Sequence, residues 1–568
     1  MNKLAAVARG DFPADVVIKN ARIANVFTSQ YENADIAVYG GIIAGIGQYS
    51  GPTEYNARGR IALPSFMDGH IHIEDTMMTP ANFAEIAAQH GTGTVFADPH
   101  EIANALGMPG LVWLHKASQN LVVDMHYGVP SCVPASDFET PYRELGMLEI
   151  SEMFSSGMFH HLGEMMNFPA VIAGDPDAWG KILLAGNRPL TGHAPGVSGR
   201  QLNAYLSSGI NSDHECTNLD EAREKLSRGM WLMLREGSTF HDLARLLPVV
   251  SICPSRCMAV SDDITATYLL KNGHMDMKLR IMLDEGLDEF TALRLITLNV
   301  AEYFGVKAGA IAPGRRADIV LLDGDTLAKD FRVSELWKSG RLVMKEGDVF
   351  TLTEHDDAVP IVRTRVTRLP KPEGLRIRAT SDVMRVIGLI RGSALTEGLS
   401  MPPLVQDGYA VADVSRDLAK IVCLERHHNT GRYGTAFVQG LGLNHGAIAG
   451  SVAHDAHNYL AAGMDDESIC TALQTLADMG GGLCVVDGQN VLGKFALPVG
   501  GLMSTLHAQE VSSKLGELES AAQTLGSELA HPFMSLSFLG LSVIPELRIT
   551  DGGLFSVSEW RTVPVFAR

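Results

Sequence analysis

The stretch LPSFMDGHIHIEDTMMTP, residues 63–80, runs an apolar segment into two histidines spaced one residue apart. Side chains at i and i+2 share a face of a strand. His70 and His72 therefore leave the strand end side by side, where two imidazoles can hold a metal ion if the rest of the chain brings further ligands. The same stretch then opens a helix. Thr79 suits an N-cap and Pro80 the first helical position. Phe83, Ile86 and Ala87 follow as one apolar stripe, and Gly91 closes the helix before TGTVFADPH. Strand, helix and strand in that order are one unit of a parallel α/β sheet.

Outward from this unit the pattern recurs. Eight apolar, β-rich runs end in polar residues and lead into helical stretches: DGHIH (68–72), ADPHE (97–101), HYGVPSC (126–132), LGEMMN (162–167), TGHAPG (191–196), SDHECT (212–217), LREGS (234–238) and SDD (261–263). Eight units imply a closed (β/α)8, TIM-like barrel with its active site where the strands end. On both flanks the texture changes to short alternating strands, ADVVIKNARIANVF and ADIAVYGGIIAGIG before, AGAIAPGRRADIVLLD and VSELWKSGRLVMKEGDV after. The expected organisation is a composite β domain of sandwich type from residues 1–60 plus 309–355, the barrel at 61–308, a charged and proline-bearing linker at 356–374, and a C-terminal α+β domain at 375–568.

Composition narrows the partners. The chain has 568 residues, 46% hydrophobic and 20% charged, which suits a soluble globular protein of two or three domains. Its net charge of −19 argues against nucleic-acid backbones and anionic membranes. The seven cysteines are irregularly spaced, as expected of reduced thiols in a cytoplasm. The opening MNKLAAVARGDF breaks its apolar run at Arg9 and Asp11, too early for a signal peptide, and no apolar run is long enough to span a bilayer. A homo-oligomer, a dimer or larger, is the expected assembly.

Taken as one ring, the strand ends offer His70, His72, Glu164, His193, His214 and Asp262. Four imidazoles and two carboxylates without a thiolate are too many ligands for one tetrahedral ion, and they suit two divalent ions in a hydrolytic site. Mn(II) or Fe(II) is favoured and Zn(II) is compatible. Glu164, on the fourth strand facing the pair from the first, is the natural bridge. A lone histidine or carboxylate is more often a satisfied polar residue than a ligand. Here the six fall at separate strand ends in a consistent order.

With these residues in view, the chain resembles the amidohydrolase superfamily, most closely its bacterial-type adenine deaminase family. The resemblance lies in MDGHIHIEDTMMTP, TVFADPHEIANALG, PSCVPAS, GHAPGVSGRQLNAYLSSGINSDHECT, MLREGS, VSDD, and TLNVAEYFG with GAIAPGRRADIVLLD. It continues into GAIAGSVAHDAHNYLAAGMDDE and GGGLCVVDGQ and covers nearly the whole chain. The resemblance implies that His70 and His72 hold one ion, His193 and His214 the other, that Glu164 bridges them, and that Asp262 completes the site. Ser65, Asp75 and Thr76 depart from the family pattern without touching a ligand position.

The reaction then expected is hydrolytic deamination of adenine to hypoxanthine and ammonia. Metal-bound water can have a pKa near ~7 against about 15.7 in bulk. A hydroxide bridging the two ions would attack purine C6 while Asp262 takes its proton and passes one to the leaving ammonia. The ring nitrogen needs a proton donor, for which Asp98, His100 and Glu101 are candidates, and Asp98 working with His100 is the preferred pair. Glu101, Ser131, Arg235, Glu236 and Asp263 are candidate substrate contacts, and Asp213 and Glu215 candidate partners orienting His214.

Other readings stay open. The same metal ring would serve a hydrolase of a modified purine, a cyclic amide or a dipeptide. A non-catalytic binding protein on this scaffold is a further alternative. His72-Ile73-Glu74 satisfies the H-x-E of the other deaminase architecture, but no P-C-x-x-C follows. In HDAHN, His454, Asp455, His457 and Asn458 are able to bind a metal, reach the barrel mouth, or form a packed polar cluster. QGLGLNHG lacks the dinucleotide-binding spacing.

Overall fold

The computed structural model describes residues 3–324, 326–327, 330–350 and 365–566. Each of the eight expected barrel units contributes a parallel strand. Phe66–His72, Thr92–Ala97, Asp124–Val129, His161–Met165 and Leu190–Gly192 are hydrogen-bonded in sequence order, and Ser212–Asp213, Trp231–Arg235 and Cys257–Val260 follow. The short strand Asp262–Asp263 pairs in parallel with Ile71–His72 and closes the ring. At the seam after the fifth strand, side chains replace the ladder: Gly192 N–H donates to Ser212 Oγ at 3.2 Å, and the Tyr303 hydroxyl reaches Ser212 Oγ at 2.8 Å. Nearly every strand position is buried on both faces, as a parallel barrel wrapped in helices requires.

The interior is packed below the site. Met67, Phe96, Met233, Met258 and Val260 fill the lower barrel, and Phe304 from the helix Leu298–Phe304 stacks on Phe96 with ring centroids 3.7 Å apart. The opposite end is left to polar side chains. The first strand's register against the second shifts between Asp68 and Ile71. A shift of this kind re-aims side chains at a strand end, and here it falls on His70. The helix expected after it runs Pro80–Gln89 with Thr79 as N-cap, and Phe83, Ile86 and Ala87 are buried.

The two flanks join as one nine-stranded sheet, five strands from Val16 to Pro64 and four from Ile319 to Val349. Ile61–Pro64, read above as the start of the barrel, pairs instead with Val16–Asn25 and Ile319–Leu322, and the barrel's first strand begins at Phe66. Residues 351–355 of the expected β domain and 356–364 of the expected linker lie outside the described residues; Pro372–Leu375 form a short 3-10 turn.

The C-terminal domain is built on an eight-stranded sheet with Thr396–Met401 and Asn490–Ala496 at its edges. The helix Asp466–Met479 packs on it, capped by Asp465, whose carboxylate accepts the Ser468 N–H at 2.7 Å. This domain docks on the barrel mouth. Asn458 donates to the Thr140 carbonyl at 3.1 Å, and Glu139 accepts the Ala456 N–H at 3.3 Å. The segment 454–458 is thereby fixed over the strand ends. No helix among the described residues is long and apolar enough to cross a membrane.

Candidate active site

Glu164 ends the fourth strand, and its two oxygens face two different histidine pairs. Oε1 lies 3.3 Å from His72 Nε2 and 3.7 Å from His70 Nε2. Oε2 lies 2.9 Å from His193 Nδ1 and 3.3 Å from His214 Nε2. Asp262 Oδ1 closes the first group at 3.3 Å from His70 Nε2 and 3.2 Å from His72 Nε2. All six residues are buried, none more than 4% exposed.

The donor set fits cations. His72 Nδ1 sits 3.0 Å from the Asp98 carbonyl, which can only accept. That nitrogen therefore carries the proton, and the Nε2 lone pair faces two carboxylate oxygens. Acceptors cannot satisfy one another, so a positive centre belongs between them. His70 Nε2 and His193 Nε2 are also buried without a hydrogen-bond partner. Separations of 3.2–3.3 Å between His72 and the two carboxylates are long for a charge-assisted hydrogen bond. The electrostatics agree. Burial opposes charge on Glu164, yet positive charge on the surrounding imidazoles, His214 foremost, holds its carboxyl well below the usual range, and a cation in its place would do the same. Burial likewise opposes charge on His214, but Glu164 and Asp262 raise its pKa to about 9.

Asp262 takes φ 61°, a left-handed conformation uncommon for a residue other than glycine. This turn separates Cys257–Val260 from the closing strand and aims Oδ1 at the histidines. Its other oxygen is pinned by Arg235 Nη1 at 2.8 Å. Arg235 also reaches Glu215 at 2.7 Å and Asp242 at 3.3 Å, and Phe240 covers its guanidinium at 4.6 Å.

The remaining candidates divide by position. His100, Glu101, Glu215, Arg235 and Asp263 line the same cavity as His72, Glu164, His193, His214 and Asp262. Asp98 is absent from that lining. Its Oδ2 accepts the Glu164 N–H at 2.6 Å and its Oδ1 stands 3.5 Å from His100 Nδ1, so it braces the bridge from behind. Gly163 makes this approach feasible, since a Cβ there would fall 2.5 Å from Asp98 Oδ2. Ser131 donates to the Glu164 carbonyl and lines a separate cavity, and Glu236 is engaged by His241 at 2.6 Å and Tyr268 at 3.3 Å. Neither Ser131 nor Glu236 reaches the central cavity. Asp213 accepts from Lys225 at 2.9 Å and from the Ala194 N–H at 2.8 Å, which anchors the turn carrying His193. Glu215 is 3.5 Å from His214 Nε2.

Several contributors carry no signal in the sequence reading. Asp68, two residues before His70, bonds His274 at 3.0 Å and accepts the Ser261 N–H at 3.1 Å, tying the first strand to the last. Phe538, Leu541 and Ile544, more than 270 residues beyond the closing strand in the chain, form the cavity's apolar wall. The HDAHN segment reaches the barrel mouth. His454 Nδ1 is 3.3 Å from Glu101, His457 Nε2 is 3.5 Å from Glu101, and Asp455 is 3.4 Å from His100. His457 Nδ1 accepts the Ala453 N–H at 3.1 Å, so its Nε2 bears the proton and is not a free metal-binding lone pair. Asp75 is fully buried, 3.4 Å from His454 Nε2.

Residues 61–343 match the amidohydrolase family, and residues 393–561 match the adenine deaminase C-terminal domain. The chain is 43% identical over 566 residues to adenine deaminase 2 of Carboxydothermus hydrogenoformans, covering 99% of each. It is 41% identical to the adenine deaminase of Oleidesulfovibrio alaskensis, over 100% of this chain and 99% of that one. It is 39% identical to the adenine deaminase of Kosmotoga olearia, over 99% and 98%. Two matched segments on either side of the barrel mouth, and relatives aligned from end to end, lead to one conclusion: this chain belongs to the adenine deaminase family of the amidohydrolases.

Proposed function

We propose that this chain hydrolyses adenine to hypoxanthine and ammonia, with His70, His72 and Asp262 holding one divalent cation, His193 and His214 a second, and Glu164 shared between them. The observation that carries the reading is the division of Glu164's two oxygens between two histidine pairs. Such cations supply Lewis acidity that makes water a competent nucleophile at neutral pH. Imidazole and carboxylate donors without thiolate suit Mn(II) or Fe(II), with Zn(II) also accommodated.

The chain's own groups supply the rest. Asp262, with Oδ2 tied to Arg235, keeps Oδ1 facing the cavity to take a proton from the attacking water and return it to the departing amine. Of the three donors considered for the ring nitrogen, His100 and Glu101 line the cavity. Burial, reinforced by the neighbouring Glu74 carboxylate, raises the Glu101 pKa well above the ordinary value and favours its protonated form. Against the cost of burial, Asp455 and Asp98 raise the His100 pKa as well, so both Glu101 and His100 are able to donate; His454 and His457 lie 3.3 and 3.5 Å from the Glu101 oxygens. Asp98 positions Glu164 through its backbone N–H. Met166, Phe240, Phe538, Leu541 and Ile544 exclude water around the base.

The test is ammonia and hypoxanthine release from adenine by protein loaded separately with Mn(II), Fe(II) and Zn(II), together with metal content. Glu164→Gln is expected to retain no more than one ion per chain and to lose activity at least a hundred-fold. Full activity and metal content in that variant would refute the shared-carboxylate arrangement.

A further inference from the structure

The segment 454–458 crosses the barrel mouth, and the chemistry above leaves one of its groups without a task. Asp455 is 2% exposed and lines the cavity beside His100 and Glu101. Its Oδ1 lies 3.4 Å from His100 Nε2, and its Oδ2 is buried with no hydrogen-bond partner. Native proteins seldom leave a buried acceptor unsatisfied. An oxygen in that condition on a residue that lines the cavity points to a donor brought by the ligand.

Its position identifies the donor. His100 Nδ1 stands 3.7 Å from Glu164 Oε1, while the opposite ring nitrogen faces Asp455. The His100 ring, with gaps of 3.7 and 3.4 Å on its two sides, thus separates Asp455 from the shared carboxylate. A flat bicyclic base lying along His100 with C6 at Glu164 carries its five-membered ring toward Asp455. The wall there is apolar: Phe538, Leu541 and Ile544 line it, and Phe538 stacks on His454 with centroids 4.9 Å apart and planes at 18°. An aromatic surface closed by one fixed acceptor suits a planar heterocycle with an N–H at its far end.

We propose that Asp455 is a substrate-contacting, specificity-determining residue whose carboxylate accepts a hydrogen bond from the imidazole-ring N–H of the purine, so that the C-terminal domain selects the free base. The inference rests on the adenine reading and adds the group that reads the end remote from the reaction. A base substituted at N9 has no N–H on that ring and leaves Asp455 buried and unpaired. Sites built to bond a substrate N–H discriminate strongly against analogues lacking it.

The experiment uses the full-length, metal-loaded protein with adenine and 9-methyladenine, comparing wild type, Asp455→Ala and Asp455→Asn. In Asp455→Ala the KM for adenine is expected to rise about ten- to a hundred-fold with kcat within about threefold. The preference for adenine over 9-methyladenine should fall at least ten-fold, and metal content should stay at the wild-type level. Asp455→Asn, which keeps the shape and a weaker acceptor, should fall between; if the alanine variant does not fold, it decides alone. Wild-type KM and preference in both variants would overturn the proposal. So would a loss of kcat at unchanged KM, which would make Asp455 a positioning residue for His100. If wild-type protein releases no ammonia from adenine, the adenine reading itself fails and takes this inference with it.

Discussion

Replacing Arg235 by lysine separates two roles that its place in the site allows. The sequence reading offered Arg235 as a contact to the purine edge. In the structure four of its five N–H donors are already engaged: Nη1 with Glu215 at 2.7 Å and Asp262 at 2.8 Å, Nε and Nη2 with Asp242 at 3.3 Å. A lysine ammonium keeps the charge but cannot span three carboxylates with a planar fork. With two charge-assisted bonds lost at about 1.5–3 kcal/mol each, Arg235→Lys should lower the unfolding free energy by about 3–6 kcal/mol. Arg235→Met, which leaves the buried carboxylates without a cation, should cost more. Because Asp262 loses its pin, kcat should fall on the order of a hundred-fold. KM should stay within about twofold, since four of the five N–H donors are held by protein carboxylates. Denaturant unfolding and steady-state ammonia release measure the two effects. A raised KM at wild-type kcat would refute this reasoning and restore Arg235 as a substrate contact; a stability loss under about 1 kcal/mol would refute the bond accounting.

Two further outcomes follow from buried charges away from the reacting atoms. Lys225 is fully buried between Asp213 at 2.9 Å and Glu221 at 2.6 Å, so Lys225→Met should cost about 3–5 kcal/mol near pH 7, and adding Asp213→Asn should recover much of it. Burial alone would raise the Asp213 pKa, but Lys225 depresses it, so the wild-type contribution is present above the ordinary Asp value of about 3.9 and is lost as pH falls. The wild-type-to-variant gap in unfolding midpoint should therefore narrow on acidification from pH ~7 to ~3. Glu139, which holds the Ala456 N–H, has its pKa raised to about 8 by burial and then by Asp455. The folded chain keeps a proton there that the unfolded chain releases from about pH 4.5. Stability should decline as pH rises from there to about 8, by at most about 5 kcal/mol, and Glu139→Gln should flatten that slope.

Much of the site was legible because strand ends leave a plain trace in sequence. An apolar run stopping at a polar cluster marks where a barrel strand surfaces, and the six metal-ligand candidates all fall at such stops. The same logic misjudged depth. Asp98 and Ser131 also end strands, yet Asp98 supports Glu164 through its backbone N–H and Ser131 faces another cavity. Position at a strand end says that a side chain is near the mouth; local backbone turns decide which way it points. Asp68 went unnoticed for a related reason: its partner His274 lies 206 residues along the chain, and a buried pair leaves no periodic signal.

By itself the amino-acid sequence determined the barrel, the order of its candidate ligands and the family, because these rest on alternation, spacing and motifs that are local along the chain. Only the tertiary structure decided what the C-terminal domain does at the mouth. His454, Asp455, Phe538, Leu541 and Ile544 reach His100 and Glu101 across hundreds of residues, through docking contacts such as Glu139 to Ala456 and Thr140 to Asn458. Contacts of that kind depend on how two packed domains meet. No local pattern records it, since the same polar and apolar residues would serve equally well in a core or on an interface.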